Sequence, residues 1–280
     1  CRLRAMGNEV TLLEKQNNLG GRARTFFHEG FEYDAGPTVI TAPYLLNELF
    51  EMLDESPKDY FNLLKVRPFY RFIFSDQSYF DYGSSLKLML DQIKSKYSTK
   101  DAHGYIKLLK HSKRIFNTAY LKLSDYPFET LSSMTPYIPE LMKIKFYKSV
   151  YNSVKSHIDD PNLVKALSMH PLLVGGNPYT TTSIYLLIQY LEWKWGVYYA
   201  EGGTRSIVQA FENLFIKKDI RYITNCEVHS IKTHKNNIKS VITSKGSYDS
   251  DIVVSNADPS YFYKNVMNTS PKKIFNKPAL

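Results

Sequence analysis

Cysteine is nearly absent from this sequence of 280 residues: Cys1 and Cys226 are the two present. Neither has a Cys or His nearby at metal-ligand spacing, so no disulfide framework and no metal site are expected, and a reducing compartment fits. Long apolar runs are missing too. Ser183–Ala200 comes nearest, but Gln189, Glu192 and Lys194 interrupt it, and no segment has the unbroken apolar length of a bilayer span. There is no signal-peptide pattern, no internal repeat and no low-complexity tract. No helix-turn-helix, RNA-recognition or zinc pattern is present, so nucleic acid is not an expected partner.

What is present is a globular composition with a basic excess. Charged residues make up 22%, which excludes a disordered chain, and the formal net charge is +9. The lysines are scattered among Tyr, Phe and Ile rather than gathered in runs, a pattern that favours an anionic membrane surface over nucleic acid. Tyrosine and phenylalanine number 22 and 16. Such rings suit apolar pockets and membrane interfaces; an AT-rich genome explains the same content equally well.

Arg2–Met6 reads as a helix end stopped at Gly7-Asn8, followed by a buried strand Glu9–Glu14 that closes on an acid. Helix, glycine stop, apolar strand and terminal acid form the second half of a βαβ dinucleotide-binding unit. Its first strand and glycine turn are expected upstream of Cys1, so the natural start is expected to be missing. An acid such as Glu14 accepts hydrogen bonds from ribose hydroxyls; a surface glutamate at a strand end is the plainer reading. Gly20-Gly21-Arg22 follows within the same short stretch. The glycines allow the backbone to approach a pyrophosphate, and Arg22 offers a planar fork of donors to it. Phe31–Asp34 feeds a strand into Gly36, Pro37 and Thr38, a turn able to bring amides near a ring system, with Asp34 as a cap of that turn.

Hairpins are expected at Phe26–Asp34 around Glu29-Gly30 and at Tyr70–Tyr82 around Asp76-Gln77-Ser78. A helix is expected over Tyr44–Leu53. From Ser85 to Tyr198 the pattern is mostly helical, with a helix capped by Asp101 that runs to Tyr120, one over Pro136–His157, and one over Ser183–Lys194. Thr204 is expected to cap a helix to Lys217. Strands follow at Ile220–Thr224, Glu227–Lys232, Lys239–Thr243 and Ile252–Ser255, with turns at Asn236-Asn237 and Lys245-Gly246. A helical block of that length between two α/β stretches must be a domain inserted into another.

Glu14 with Asn18-Leu19-Gly20-Gly21-Arg22-Ala23 resembles the adenosine and pyrophosphate segment of the FAD-dependent amine oxidase and desaturase superfamily. Phe31–Ile40 is similar to its continuation in phytoene desaturases. Tyr120–Leu123, Leu172–Pro178, Trp195–Tyr198 with Glu201–Thr204, and Ser255–Asp258 narrow the resemblance to bacterial-type carotenoid desaturases of the phytoene desaturase type. It runs along nearly the whole chain, without the glycine-rich turn before Cys1 and the C-terminal segment that closes over the flavin.

The resemblance implies an α/β fold: an FAD-binding Rossmann-like domain of the glutathione-reductase type, interleaved with a mixed sheet and helical domain that takes substrate and faces a membrane. Residues 1–45 and 201–260 are the expected FAD segments, 46–200 the inserted domain, and 261–280 the start of a return to it. FAD is the implied redox cofactor and a lipid-soluble polyene the implied substrate. The cofactor-binding residues implied are Glu14, Gly20, Gly21, Arg22, Gly36, Pro37, Thr38 and, through its backbone on a returning strand, Val228. Trp193, Trp195, Tyr198 and Tyr199 are candidates to face positive charge on the polyene; no general base stands out. Lys143, Lys145, Lys148 and Lys155, mixed with Met142, Ile144, Phe146 and Val150 on the expected helix, suit a monotopic contact with a membrane surface. The expected location is cytoplasmic, peripheral on the inner face of the cell membrane. Open alternatives are a sibling flavin enzyme (isomerase, ketolase-like oxygenase or amine oxidase) and a non-catalytic basic membrane-binding scaffold. No feature specifies an oligomeric state.

Overall fold

The structure is a computed structural model that describes residues 1–126, 131–235 and 237–267. In chain order the elements used below are β1 (Thr11–Leu13), β2 (Thr25–His28), β3 (Phe31–Asp34), β4 (Tyr70–Ile73), β5 (Tyr79–Tyr82), α1 (Leu86–Lys96), α2 (Thr99–Ile115), α3 (Ile138–Lys143), α4 (Val150–Lys155), α5 (Pro161–Leu167), α6 (Leu187–Trp195), α7 (Thr204–Lys217), β6 (Arg221–Ile223), β7 (Val228–His234), β8 (Asn237–Thr243) and β9 (Gly246–Asp249). They fall into two compact units. The first joins Cys1–Thr38, Asn47–Asn62 and the described part of Ala200–Leu280; the second joins Val39–Leu46 and Leu63–Tyr199.

In the first unit β1 and β6 pair in parallel, Thr11 opposite Arg221 and Leu13 opposite Ile223, although 210 positions of sequence number separate those partners' origins. Parallel pairing needs a crossover, and α7 supplies the helix that leads into β6. The apolar stripe of α7, Ala210 and Leu214, packs with Phe50, Leu53 and Ile220 as the largest buried cluster among this unit's described residues. The β2–β3 hairpin turns on Glu29 and Gly30, both at positive φ (50° and 81°), the pair of conformations that a two-residue turn needs to match strand twist. A three-stranded antiparallel sheet, β9-β8-β7, completes the unit.

In the second unit α1, α2, α5 and the β4–β5 hairpin close around one apolar core that includes Phe80, Met89, Ile93, Tyr105, Leu108, Leu163 and Leu167. Gly104 on α2 sits against the His157 carbonyl, where a Cβ would lie 1.9 Å from the oxygen. That contact lets the end of α4 lie directly on α2.

Several expected elements differ. The cap of α2 is Ser98, whose hydroxyl accepts the Asp101 amide at 2.9 Å; Asp101 lies three residues inside. The helix continues past Ile115 as wider turns over Phe116–Lys122. The expected helix over Pro136–His157 is broken. Helix α3 ends at Lys143, Lys145 turns left-handed at φ 58°, and Ser149 bridges Thr182 before it caps α4. Tertiary demand explains the break: Ile144 and Val150 are both buried in the core, and a continuous helix cannot turn both inward there while leaving Met142 and Tyr147 exposed. Ile252–Ser255 joins no sheet among the described residues, and Ile252 and Val254 stand exposed. Asn236 and most of 261–280 lie outside the described residues. No described helix is long and apolar enough to cross a membrane.

Candidate functional site

Glu14 closes β1. Its amide donates to the Ile223 carbonyl at 2.9 Å, and its Oε1 accepts the Gln16 amide at 2.8 Å. Among the described residues no protein bond engages its Oε2. The chain that leads to β7 runs alongside: the Asn225 amide donates to Gln16 (2.8 Å) and the Cys226 amide to the Glu14 carbonyl (2.9 Å). Glu14 therefore lies beside the segment that leads into β7, on which Val228 stands half-buried.

The Gly20–Arg24 turn is the second part. Gly20 (φ 111°) rests against Val208 of α7, and Gly21 (φ 53°) has nothing within 4 Å of where a Cβ would stand. Both are left-handed, which L side chains resist, and the backbone at Gly21 lies open to a ligand. Arg22 is exposed and no ion pair holds it among the described residues.

The third part locks onto the second. A Cβ at Gly36 would lie 1.8 Å from the Arg22 carbonyl oxygen, so only glycine allows the two turns to touch. Pro37 and Thr38 follow, both exposed. Asp34 does something other than cap its own turn. Its Oδ1 accepts the Thr204 amide at 3.1 Å and so caps α7 from across the unit. Thr204 is correspondingly not the cap; Gly203 precedes the helix, and the Thr204 hydroxyl donates to the Pro37 carbonyl at 3.1 Å. A carboxylate at the positive end of α7 is favourable. In this unit the structure thus brings Gly20, Gly21, Arg22, Gly36, Pro37 and the α7 entrance together, and sets Glu14 beside the Asn225-Cys226 segment that leads to Val228. Nothing local in the sequence signals the bond between Asp34 and Thr204, because 170 positions separate them.

The second unit holds a polar cluster that sequence reading missed. Glu192 on α6 is fully buried. Its Oε1 accepts the Tyr70 hydroxyl at 2.8 Å, and its Oε2 lies 3.1 Å from Nε2 of buried His170. Burial first, and the Glu192 charge second, push the Tyr70 hydroxyl far up. Tyr82 meets the His170 ring edge-on at 5.7 Å. Glu192 interrupts an apolar run, which is the one sign of it that the sequence carries. Of the aromatic candidates, Trp195 packs against Tyr44 (4.9 Å) and Phe116 (5.5 Å), and the Lys194 ammonium stands 4.1 Å above its ring. Its faces are already covered.

These features, a parallel β1–β6 pair whose glycine turns meet beside an acid-tipped strand, define a dinucleotide-binding α/β protein with a second unit inserted. The chain belongs to the flavin containing amine oxidoreductase family, whose model matches residues 2–275. The cofactor of that family is FAD. Among curated relatives, the chain is 38% identical over 274 residues to a lycopene-forming phytoene desaturase of Pantoea ananas, covering 98% of this chain and 56% of the relative. It is 39% identical over 271 residues to the lycopene-forming phytoene desaturase of Pseudescherichia vulneris, covering 96% and 55%. The chain thus spans about half the length of the curated relatives it matches. A solved oxidoreductase from Methanosarcina mazei shares the fold with a TM-score of 0.65 at 19% identity, covering 98% of this chain and 59% of that one.

Proposed function

We propose that the whole protein is an FAD-dependent desaturase that introduces double bonds into phytoene or a related acyclic carotenoid precursor. The observation that carries this reading is identity of 38% to a phytoene desaturase, sustained over 98% of the chain. The residues of the first unit fit the cofactor. Glu14 Oε2 is uncommitted and suits a ribose hydroxyl, with the Val228 backbone beside the adenine. The open backbone at Gly20-Gly21 and the unpaired Arg22 suit the pyrophosphate. Gly36, Pro37 and Thr38, pressed onto the Arg22 turn, suit the flavin end. When bound, the flavin supplies the hydride acceptor. The chain's own part is to hold the polyene in line, exclude water and accommodate positive charge as a proton leaves.

A polyene substrate dissolves in lipid, so the reading includes a peripheral position on the inner face of the cell membrane, in the cytoplasm. Lys143, Lys145 and Lys148 remain its proposed contact, now as a helix end and a turn. Met142 and Tyr147, 49% and 59% exposed, are their apolar companions, since Ile144 and Val150 are core residues. Replacing all three lysines with Glu is expected to abolish sedimentation with anionic liposomes; unchanged binding would remove this contact from the account.

The activity is tested by expressing the complete gene with phytoene-containing membranes and added FAD, then reading pigments by absorbance and mass. A coloured product lighter by pairs of hydrogens is expected. An isomer of unchanged mass, or bound flavin with phytoene untouched, would point to a sibling flavin enzyme instead.

A further inference from the structure

Beside the broken helix lies a group of basic side chains. His111 and Arg114 sit three residues apart on α2 and share a face. The His157 ring stacks on His111 with centroids 5.7 Å apart and planes 25° from parallel. His157 Nδ1 lies 2.9 Å from the Ser153 carbonyl, so that nitrogen carries the hydrogen and donates. His111 Nε2 is buried with no partner. Burial first, and then the neighbouring basic side chains His157, Lys145, Arg114 and Lys148, hold its pKa down at about 4.

The turn that carries the two lysines is fixed in shape. The Ser183 hydroxyl donates to the Lys145 carbonyl at 2.9 Å and the Ser183 amide to the Lys148 carbonyl at 2.7 Å. The acids at the same joint are committed elsewhere. Asp101 accepts the Asp159 amide (2.7 Å) and the Ser98 hydroxyl (2.8 Å), and Asp159 pairs with Lys100. Asp160 caps α5. Arg114, Lys145 and Lys148 are like charges near an unpartnered ring nitrogen, and an anion with several acceptor oxygens relieves their repulsion while it takes up the free donors.

We infer that His111, Arg114, Lys145, Lys148 and His157 form a binding site for a phosphate group on the surface of the second unit. The exposed Met142 and Tyr147 on the adjoining segment favour a lipid headgroup as its source, and only that choice of source rests on the proposed membrane contact.

The test uses the whole flavin-loaded protein, with Lys145→Asn/Lys148→Gln as the main variant. Asn tolerates the left-handed backbone at position 145, and both lysines hold the turn through backbone groups alone, so the fold is retained; a circular dichroism melt checks this. His111→Gln is the second variant. Inorganic phosphate is titrated by calorimetry at fixed ionic strength. Vesicles of phosphatidylcholine alone, or mixed with phosphatidic acid, are tested by sedimentation. Saturable phosphate binding is expected, together with preference for phosphatidic acid. The double variant should weaken both roughly thirtyfold, as two lysines near an anionic surface at about 1 kcal/mol each imply. Phosphate binding lost in the variants while vesicle binding stays unchanged would uphold the site with free phosphate as ligand and remove the lipid source. No saturable phosphate binding, with vesicle binding equal in wild type and variants, would overturn the site and leave a membrane contact elsewhere intact.

Discussion

The two units are held together differently. Among the described residues, the largest buried cluster of the first has five apolar residues, Phe50, Leu53, Ala210, Leu214 and Ile220. That of the second has twenty-one, from Phe69 to Val197. The first unit instead relies on backbone fit: left-handed glycines, Gly36 against Arg22, and Asp34 at the start of α7. Its β2–β3 hairpin leaves Phe26, Phe27 and Phe31 more than half exposed. A unit with a thin core gains most from a ligand that binds only the folded form. The second unit has the larger core, and a buried Glu192 with its partners sits in the same unit.

The sharpest way to break this contrast is a matched pair of glycine substitutions. A Cβ at Gly36 meets the Arg22 oxygen at 1.8 Å and one at Gly104 meets the His157 oxygen at 1.9 Å, so each forces backbone apart and costs about 3 kcal/mol or more. Gly36→Ala is expected to remove bound flavin, read at its visible absorbance, and to leave the helical signal of the second unit largely intact. Gly104→Ala is expected to lower the melting temperature with flavin still bound to the folded fraction. Both variants losing flavin equally would erase the division.

Glu192→Leu comes next. It leaves His170 and the Tyr70 hydroxyl without their buried acceptor, and a destabilisation of about 3 kcal/mol is expected by denaturant titration. Removing His170 in the same chain should cost less than the sum of the two single changes, because one cluster is lost once. Glu14→Gln is milder. It weakens a charged hydrogen bond to ribose and is expected to reduce FAD affinity about tenfold, near 1.5 kcal/mol, with the melting temperature of the flavin-free protein unchanged.

Acid should separate the units by the smallest margin. Burial and neighbouring cations lower His111 from 6.5 to about 4. The folded second unit therefore favours neutral His111; its contribution is full above pH 6.5 and is lost as pH falls from there toward 4. In the first unit the Lys217 and Lys218 ammonium groups hold Glu55 at about 2, below its usual 4.5, so that contribution persists until pH falls below 4.5. Lowering pH from 7 to 5 should thus loosen the second unit first, and His111→Gln should remove that loss. Loosening of the second unit that persists between pH 7 and 5 with His111 replaced would contradict the assignment.

Much of the first unit was legible in sequence because its determinants are local. Gly20-Gly21-Arg22, the Glu29-Gly30 turn and the acid at the end of β1 each announce themselves within a few residues. Asp34 was legible as a cap but not as the cap of α7, since the partner lies far along the chain. The second unit hid more. A helix pattern over Pro136–His157 looked continuous because apolar spacing records which residues are buried, not that Lys145 must turn left-handed to bury both Ile144 and Val150. The Glu192 cluster draws on β4, α6 and the segment before Pro171, and no single stretch shows that these meet.

Amide exchange of the whole protein, with and without FAD, tests the division of labour most directly. FAD is predicted to slow exchange at residues 14–24, 34–38 and 225–230 and at the start of α7, and to leave α1, α2 and α6 unchanged. Slowing confined to the helices of the second unit, with none at the Gly20–Arg24 turn, would contradict it.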